Sequence, residues 1–491
     1  MTPRSVVSSL LSRCTVSSFG PVFSLGTVFS LFTVSAAMLS VPLELLAEES
    51  KVTITTDSSS DDAIEIKDGG TSQVPTQVTL AESLKLAASR NLDLQRANQS
   101  VEKQRARVVE VRGALFPVIS ANGNTSWLDE GRRFSFGNGQ KPNSNTWQGN
   151  IQLDQPIFQG GKAFSAKSVE DSLYEAIRFQ YQGIRNEVAY QVYNTYFRVL
   201  LSRELLKVRE EAVSLLQDEL VKAQRKFNVG TISNFDVTRA EVSLANARTP
   251  LIQARNSLSI ALEELKRVLN IDIDRELLNT RVSDSLKRTW DTIDAGEAAT
   301  KAKEQNPEIK RLYQVMLASE HGVDFQRANF LPSLNFSANY GVERTAFVPK
   351  NFEGWQAGLN LKWTLFDSFQ TVGRVEQAQA ELKSAKMAWD KAKLDTDIEV
   401  QRALSSVTEA RALVDVSSKV IGQAQDSYRL AQNRFDAGGV TQLDVLAQRL
   451  ELTEALSNSA QAYYSQNVAE AQLRRSMGIL GEELQIPEEK E

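Results

Sequence analysis

An internal duplication runs through most of this sequence. The stretch RNLDLQRANQ, which begins at Arg90, matches QNPEIKRLYQ, which begins at Gln305, at an offset of 215 residues. Further along, KFNVGTISNFDV matches RFDAGGVTQLDV, with Gly230 over Gly438 at an offset of 208. A repeated sequence folds into repeated units, so we expect two copies of one unit that pack together. The predicted boundaries are 79–286 for the first repeat, 287–486 for the second and 487–491 for a tail.

Each repeat contains a long stretch without proline. These stretches, residues 162–227 and 370–435, allow helices of about 65 residues, or roughly 100 Å. After the first of them, small and apolar residues follow a strict 3,4 spacing: Val237, Ala240, Leu244, Ala247, Leu251, Ala254, Leu258, Ala261, Leu265 and Val268. That spacing is the seven-residue period of coiled-coil packing, and its alanines let helix backbones approach closely. The sequence therefore predicts long helical hairpins.

Each repeat also contains two segments in which apolar and polar residues alternate, as in β-strands. The predicted strands are residues 118–128, 147–157, 333–343 and 355–365. Their polar positions are almost all Asn, Gln, Ser or Thr, which suits a water-filled lumen, and each segment is long enough to cross a bilayer as a tilted strand. Aromatic residues lie near the segment ends, as in the girdles at membrane interfaces: Trp127, Trp147, Trp355 and Trp363. The alternative is an amphipathic sheet in a soluble domain.

Four strands cannot close a barrel, and lipid does not tolerate an open sheet edge. Closure therefore requires several copies of the chain. Three copies would supply twelve strands, an even number within the range of outer-membrane barrels. The simplest assembly is a homotrimer with one shared twelve-stranded barrel.

The N-terminus predicts export. Arg4 and Arg13 precede an apolar run over residues 19–39, and small residues allow cleavage near 37 or 47, so residues 1–47 are predicted to be a signal peptide. A membrane anchor is the alternative, which Gly20 and Pro21 weaken. Residues 48–78 are rich in Ser, Thr and Asp and are predicted to be a flexible lead-in. Export favours membrane strands over a soluble sheet.

The composition argues against an enzyme, a metal site and a cofactor. The chain has one cysteine, Cys14, and one histidine, His321, which leaves almost no material for disulfides, metal ligands or histidine-based catalysis. His321 lies in a polar helical stretch, where a solvated side chain is the expected role. A formal net charge of −5 gives no reason to expect a nucleic-acid partner.

The order of these features carries a family resemblance. The helix-to-strand junctions RGALFPVIS and RANFLPSLNFSA, the strand-to-helix junctions LDQPIFQGGK and LKWTLFDSFQ, and the paired turns KFNVGTISNFDV and RFDAGGVTQLDV all resemble the TolC-type outer membrane efflux proteins, or outer membrane factors. The resemblance covers roughly residues 79 to 480. It is carried by the duplicated set and by no single motif.

The resemblance implies a mainly helical chain with transmembrane β-strands, whose trimer forms a barrel in outer-membrane lipid and a long α-helical coiled-coil barrel in the periplasm. It implies the exit duct of a tripartite efflux or type I secretion system, which conducts substrate passively. The expected partners are a periplasmic adaptor protein and an inner-membrane efflux pump or ABC transporter. A periplasmic coiled-coil adaptor or scaffold without a pore is the alternative. The resemblance does not indicate which substrate is transported.

The repeated turns are candidates for the periplasmic tip, the gate and the adaptor docking surface. Their candidate residues are Phe227, Gly230, Ser233, Asp236, Phe435, Gly438, Thr441 and Asp444. The glycines fit a left-handed helix end, and Ser233 and Thr441 fit the N-cap of the next helix, with an aspartate at the third helical position. Capping alone would explain both aspartates. Family members with a well-described gate have an arginine and a further aspartate where this chain has Val440 and Ala447, so that network cannot be transferred.

Two charged residues lie at equivalent positions of two predicted strands. Asp154 and Lys362 are 208 residues apart and fall on the predicted lumen faces. In a trimer each charge would occur three times, and such charges can tune pore selectivity. The alternative is that both are solvated side chains of little consequence.

Overall fold

A computed structural model describes residues 77–127, 129, 145–286, 295–344 and 352–484. The predicted signal peptide, most of the lead-in and the tail lie outside the described residues. Helices and strands recur in the same order in both repeats, with two helices, two strands and two long helices in each. The predicted class, mainly α with a small strand part, is confirmed.

The elements have the following bounds. The first repeat contains α1 (Leu80–Arg90), α2 (Leu92–Gly113), β1 (Val118–Trp127), β2 (Asn145–Phe158), α3 (Lys162–Asn228) and α4 (Asn234–Leu269), and the short α5 (Arg275–Arg281) follows. The second contains α6 (Ala295–Gln305), α7 (Pro307–Arg327), β3 (Ser333–Arg344), β4 (Phe352–Lys362), α8 (Gln370–Asp436) and α9 (Gln442–Met477). Short 3-10 turns lie at Ala328–Phe330 and Leu480–Leu484.

The hairpins α3–α4 and α8–α9 have equal arms. Helices α3 and α8 contain 67 residues each, about 100 Å of helix, and α4 and α9 contain 36 each. Helix α4 continues through Pro250. Most positions of the 3,4 pattern are buried where α4 packs on α3, because a seven-residue period keeps them on one face. The buried members are Val237, Ala240, Leu244, Leu251, Leu258, Ala261, Leu265 and Val268.

The largest group of buried apolar side chains lies where α1, α3, α4 and α5 meet the turn at Leu480–Leu484. Tyr196 of α3 is fully buried there, and its hydroxyl donates to the Asp284 carboxylate at 2.7 Å. Burial, together with that carboxylate, raises the pKa of the Tyr196 hydroxyl. The same carboxylate accepts from the backbone N–H of Leu80 at 3.0 Å. The partly buried Asp284 carboxylate therefore joins the start of the first repeat to the segment that follows α5.

Val78 corrects the predicted end of the lead-in, residues 48–78. Its side chain is fully buried, its N–H donates to the Arg281 carbonyl at 2.9 Å, and it forms a parallel bridge with Val282. The sequence indicated a boundary at 78 because helical periodicity starts only afterwards, and a single bridging residue leaves no periodic signal. Val78 belongs to the packed part of the chain.

The strands form one antiparallel sheet in the order β1-β2-β3-β4. Strand β2 starts two residues before the predicted 147 because Asn145 pairs with Trp127 at the end of β1. Strand β4 spans 352–362 and not 355–365. It ends at Lys362 because its partner is Ser333, the first residue of β3, and Pro332 before it has no N–H to continue the ladder.

Two statements hold for the described ranges only. None of their helices combines the length and the apolar character that a membrane span needs. None of their clusters of three or more His, Cys, Asp or Glu side chains could hold a metal ion.

Candidate channel surfaces

One face of the sheet is polar across all four strands. Opposed residues of an antiparallel pair share a face, so the register assigns each side chain to a side. One row, for example, runs from Asn122 through Asn150 and Gly341 to Gly354. The amide and hydroxyl side chains on this face are Ser120, Asn122, Asn124, Ser126, Thr146, Gln148, Asn150, Gln152, Ser333, Asn335, Ser337, Asn339, Gln356 and Asn360. Such groups hydrogen bond well to water, so this face can line an aqueous path.

Asp154 and Lys362 both lie on this polar face, but in different rows. Asp154 pairs with Ser337 and Lys362 with Ser333, four residues apart on β3, which corresponds to about 13 Å along the strand. Among the described strand residues, Glu343 is the other charged side chain of this face, and it was not predicted from the sequence. Extending the polar alternation of β3 to the end of the strand would have found it.

The opposite face is mostly apolar and largely uncovered, and its charged side chains, Arg344 and Glu353, lie at the end of the β3–β4 hairpin. Its apolar members are Ile119, Ala121, Trp127, Trp147, Ile151, Leu153, Leu334, Phe336, Ala338, Tyr340, Val342, Trp355, Ala357, Leu359 and Leu361. Trp355 is 80% exposed, and Trp127, Leu359 and Leu361 are exposed as well. Trp363, which was predicted inside β4, follows it and donates its indole N–H to the Phe330 carbonyl at 3.2 Å. An apolar surface of this size requires a partner or a membrane.

The turns between the long helices have one geometry in both repeats. Gly230 and Gly438 adopt φ values of +74° and +77°. The Gly230 N–H donates to the Phe227 carbonyl at 2.8 Å, and the Gly438 N–H donates to the Phe435 carbonyl at 3.0 Å. The next N–H in each turn reaches one residue further back, at 2.9 Å and 2.8 Å. Each helix therefore ends in a Schellman motif, which requires the left-handed backbone that glycine adopts without strain.

The two aspartates cap the helices that follow. The Asp236 carboxylate accepts from the Ser233 N–H at 3.2 Å and from its hydroxyl at 2.9 Å. The Asp444 carboxylate accepts from the Thr441 N–H at 2.8 Å and from its hydroxyl at 2.7 Å. The hydroxyl and then the N–H of Thr441 lower the pKa of the Asp444 carboxyl below its usual value. The capping geometry considered from the sequence is present at both turns.

Apolar side chains are exposed at the same turns. Phe235 and Leu443, which occupy equivalent positions in the two repeats, are both exposed, as are Phe227 and Val229. Phe435 is half-buried. These side chains give the turns a surface on which another protein can bury apolar area.

Three contacts, which we call the distal clamp, join the two hairpins near these turns. They are the Arg449 guanidinium to the Ala212 carbonyl at 3.0 Å, the Gln442 amide to the Glu219 carboxylate at 3.0 Å, and the Lys226 ammonium to the centre of the Phe435 ring at 5.0 Å. On each side of the clamp the partners are seven residues apart. Within one helix seven residues are two turns, about 10.5 Å, so the contacts recur along one face of α3; on the other side Gln442 and Arg449 lie on α9, and Phe435 lies at the end of α8 across the turn.

Arg449 is the buried member of the distal clamp. It is 9% exposed, and burial lowers the pKa of its guanidinium, while Glu219 and Asp218 act in the opposite direction. A buried cation requires partners, because leaving it unpaired in a low-dielectric interior is costly. This cluster was not predicted from the sequence, because its partners lie more than 200 residues apart and the periodicity of one helix does not show which other helix packs against it.

Comparisons with known proteins agree with this geometry. A family model described as outer membrane efflux protein matches residues 83–270 and 298–479. The alkaline protease secretion protein AprF of Pseudomonas aeruginosa is 24% identical over 421 residues, which cover 82% of this chain and 85% of AprF. The outer membrane protein TolC of Escherichia coli is 20% identical over 434 residues, which cover 84% of this chain and 85% of TolC.

The fold has solved counterparts. The crystal structure of the Campylobacter jejuni CmeC outer membrane channel superposes with a TM-score of 0.72 at 20% identity, over 81% of this chain and 85% of CmeC. The family match includes both repeats, and the two turns with their capping aspartates lie inside it. This chain belongs to the outer membrane efflux protein family.

Proposed function

We propose that three copies of this chain form one continuous exit duct through the outer membrane and the periplasm. As an outer membrane efflux protein the chain is an exit duct, and substrate passes through it without being transformed. Energy comes from an inner-membrane efflux pump or ABC transporter, and a periplasmic adaptor joins that transporter to the duct. The observation that carries the proposal is the sheet, with one polar face, one apolar face and two unpaired edges.

The edges support the trimer. Among the described strands, β1 and β4 have a neighbour on one side only, so each presents a row of backbone N–H and C=O groups without a partner in this sheet. In lipid these groups require partners, which β1 of one copy and β4 of the next can supply to each other. Three copies would form a closed barrel of twelve strands, with the apolar face toward lipid and the polar face toward water.

The charges of the polar face support a selective lumen. Each copy contributes Asp154, Glu343 and Lys362, so a trimer carries three of each. Rings of charged side chains favour ions of opposite sign in an aqueous pore. Over the described strands the polar face carries one net negative charge per copy, which favours cations.

The turns and the distal clamp support a closable periplasmic end. Val440 and Ala447 supply no charge, so this chain cannot hold the end shut by the network of the well-described family gate. The distal clamp joins the α3–α4 hairpin to the α8–α9 hairpin by other residues. We assign it the closing role, and we assign adaptor docking to the exposed apolar residues of the turns. A scaffold without a pore would have no use for the two-faced sheet.

Purified protein tests the proposal directly. Detergent-solubilised protein is expected to have the mass of three chains by light scattering, and to give discrete conductance steps in planar bilayers with a preference for cations. Lys362→Glu should strengthen that preference, seen as a larger reversal potential in a salt gradient, while Lys383→Glu on α8 outside the sheet should leave it unchanged. A monomer without conductance would contradict the proposal.

A further inference from the structure

The junctions between strand and long helix differ between the repeats. After β2, Gly160 and Gly161 adopt φ values of +63° and +85°. After β4, the equivalent residues are Ser368 and Phe369, with φ values of +55° and +66°. This left-handed backbone suits glycine but crowds the Cβ of any other residue, and a bulky side chain there is rare. The second repeat therefore has a strained phenylalanine, Phe369, at the position where the first repeat has Gly161, which adopts the same backbone without strain.

The phenylalanine gains little inside its own chain. Phe369 is 72% exposed, and its ring meets that of Phe366 edge to face at 5.7 Å, with Phe366 itself 71% exposed. The backbone between the rings is fixed, because the Asp367 carboxylate accepts from the N–H of Thr371 at 2.8 Å and from its hydroxyl. No contact within the chain offsets the backbone strain at Phe369, which points to a partner outside the chain.

The position of the rings indicates the partner. Apart from Glu353, the odd-numbered residues of β4 form its exposed apolar face, and the series continues past the strand to Trp363 and Leu365, which is 80% exposed. The rings thus extend the surface that the proposed function assigns to lipid. They lie at the end of the strands where the long helix begins, which is where barrels carry their interfacial aromatic side chains.

We propose that Leu365, Phe366 and Phe369, the junction patch, insert among the phospholipids of the periplasmic leaflet of the outer membrane. The inference rests on the proposed function, because it requires the apolar face in the bilayer. A second copy of the chain is the less favoured occupant. It would pair with the edge of β4 in the plane of the sheet, whereas the side chains of the apolar face stand perpendicular to that plane.

Site-directed fluorescence tests the placement. In a Cys14→Ser background, single variants Phe369→Cys, Leu359→Cys and Phe235→Cys are labelled with a nitrobenzoxadiazole dye. The proteins are then inserted into phosphatidylethanolamine and phosphatidylglycerol vesicles that contain brominated lipids. We expect bromine near the glycerol end of the acyl chain to quench position 369, and deeper bromine to quench position 359. Position 235, a turn residue of similar exposure at 65%, should be quenched by aqueous iodide only.

The other outcomes contradict either the junction patch or the membrane sheet itself. Iodide quenching of position 369 without bromolipid quenching would place it in water, and protection from both quenchers would place it against a second copy; either result overturns the junction patch. If position 359 were also unquenched by lipid, the proposed membrane sheet itself would fail. Quenching at 359 without quenching at 369 would leave the duct intact and reject only the patch.

Two further variants separate strain from lipid contact. Phe369→Ala retains the strained backbone and removes the ring, whereas Phe369→Gly removes both. In vesicles we expect the thermal midpoint of Phe369→Ala to fall below the wild-type value, and that of Phe369→Gly to lie above that of Phe369→Ala. Equal midpoints for wild type and Phe369→Ala would show that the ring gains nothing from its surroundings and would overturn the proposal.

Discussion

Equivalent residues of the two repeats make equivalent packing contacts. Asn91 and Asn306 each cap a helix with the side-chain oxygen, and each donates the amide to the end of a long helix, at 2.9 Å to the Val268 carbonyl and 3.1 Å to the Ser476 carbonyl. Both are buried, so the amide satisfies several backbone groups that water cannot reach. From the sequence we aligned the two asparagines but assigned them no role, because the carbonyl that each contacts lies about 170 residues away.

Two glycines with the same backbone differ in surroundings, which gives a matched pair of substitutions. Gly438→Ala places a Cβ in open space at φ +77°, so we expect only the left-handed strain, about 1 kcal/mol. Gly478→Ala, at φ +85°, places a Cβ 2.8 Å from Pro307 and 2.9 Å from the backbone of Asn306, so we expect about 3 kcal/mol in total. Denaturant unfolding in detergent measures both, and equal losses would contradict this account.

Asp444 should make the second turn sensitive to acid. Its pKa is lower in the folded chain than the unfolded value of about 3.9, because Thr441 donates to the carboxylate. The cap therefore stabilises the turn fully above that value and loses its effect as pH falls through the folded pKa. At pH 6 we expect Asp444→Asn to speed hydrogen exchange of the first-turn amides of α9 roughly two- to fivefold. The difference from wild type should vanish near pH 2; a constant difference would exclude titration of this carboxyl.

At the scale of elements, the helices and strands that depend on a local sequence pattern were predicted from the sequence. Proline-free stretches gave the long helices and alternation gave the strands, since each signal lies within the element itself. The end of β4 was wrong by three residues because it is set by Pro332 on the neighbouring strand. The distal clamp was missed for the same kind of reason: Arg449 is buried only because α9 packs against α3. The periodicity of one element does not show which distant element it packs against.

The distal clamp predicts which contact between the hairpins controls the duct. Arg449→Leu removes its buried contact between hairpins, so the open fraction of channels in planar bilayers is expected to rise at least roughly tenfold. The control is Arg255→Leu: Arg255 pairs with Glu210 at 3.2 Å within the α3–α4 hairpin, two residues from Ala212 along α3, and does not join the two hairpins. The control should conduct like wild type. A similar rise in both variants would indicate general loosening and would remove the clamp from the gate.

At the scale of the whole molecule, the two hairpins match in length. Both have arms of 67 and 36 residues although the repeats have diverged in sequence. The distal clamp requires that match, because its three contacts keep one register along α3. Family and fold class could be predicted from the sequence because the duplicated junctions and turns are themselves the signature. The trimer and its partners stay predictions, since they depend on surfaces that other chains complete.

Matched length gives a prediction for shortened chains. Removing one heptad from each arm of the α8–α9 hairpin shortens it by about 10 Å and moves every clamp contact out of register. We expect cells that make this variant to take up large hydrophilic antibiotics. Removing one heptad from all four arms restores the register, so we expect those cells to exclude the same compounds. Equal uptake by both strains would show that the register is irrelevant to closure.

The open edges of the four-stranded sheet also bear on how the molecule is made. With the described sheet ending at two unpaired strands, a single chain has no stable way to enter lipid, since each edge would carry unpaired backbone groups into the bilayer. In the trimer that we propose, the chains must therefore meet before they insert. The supply of copies, more than the folding of any one of them, then sets the pace of biogenesis, and a cell that exports few chains would install disproportionately fewer ducts.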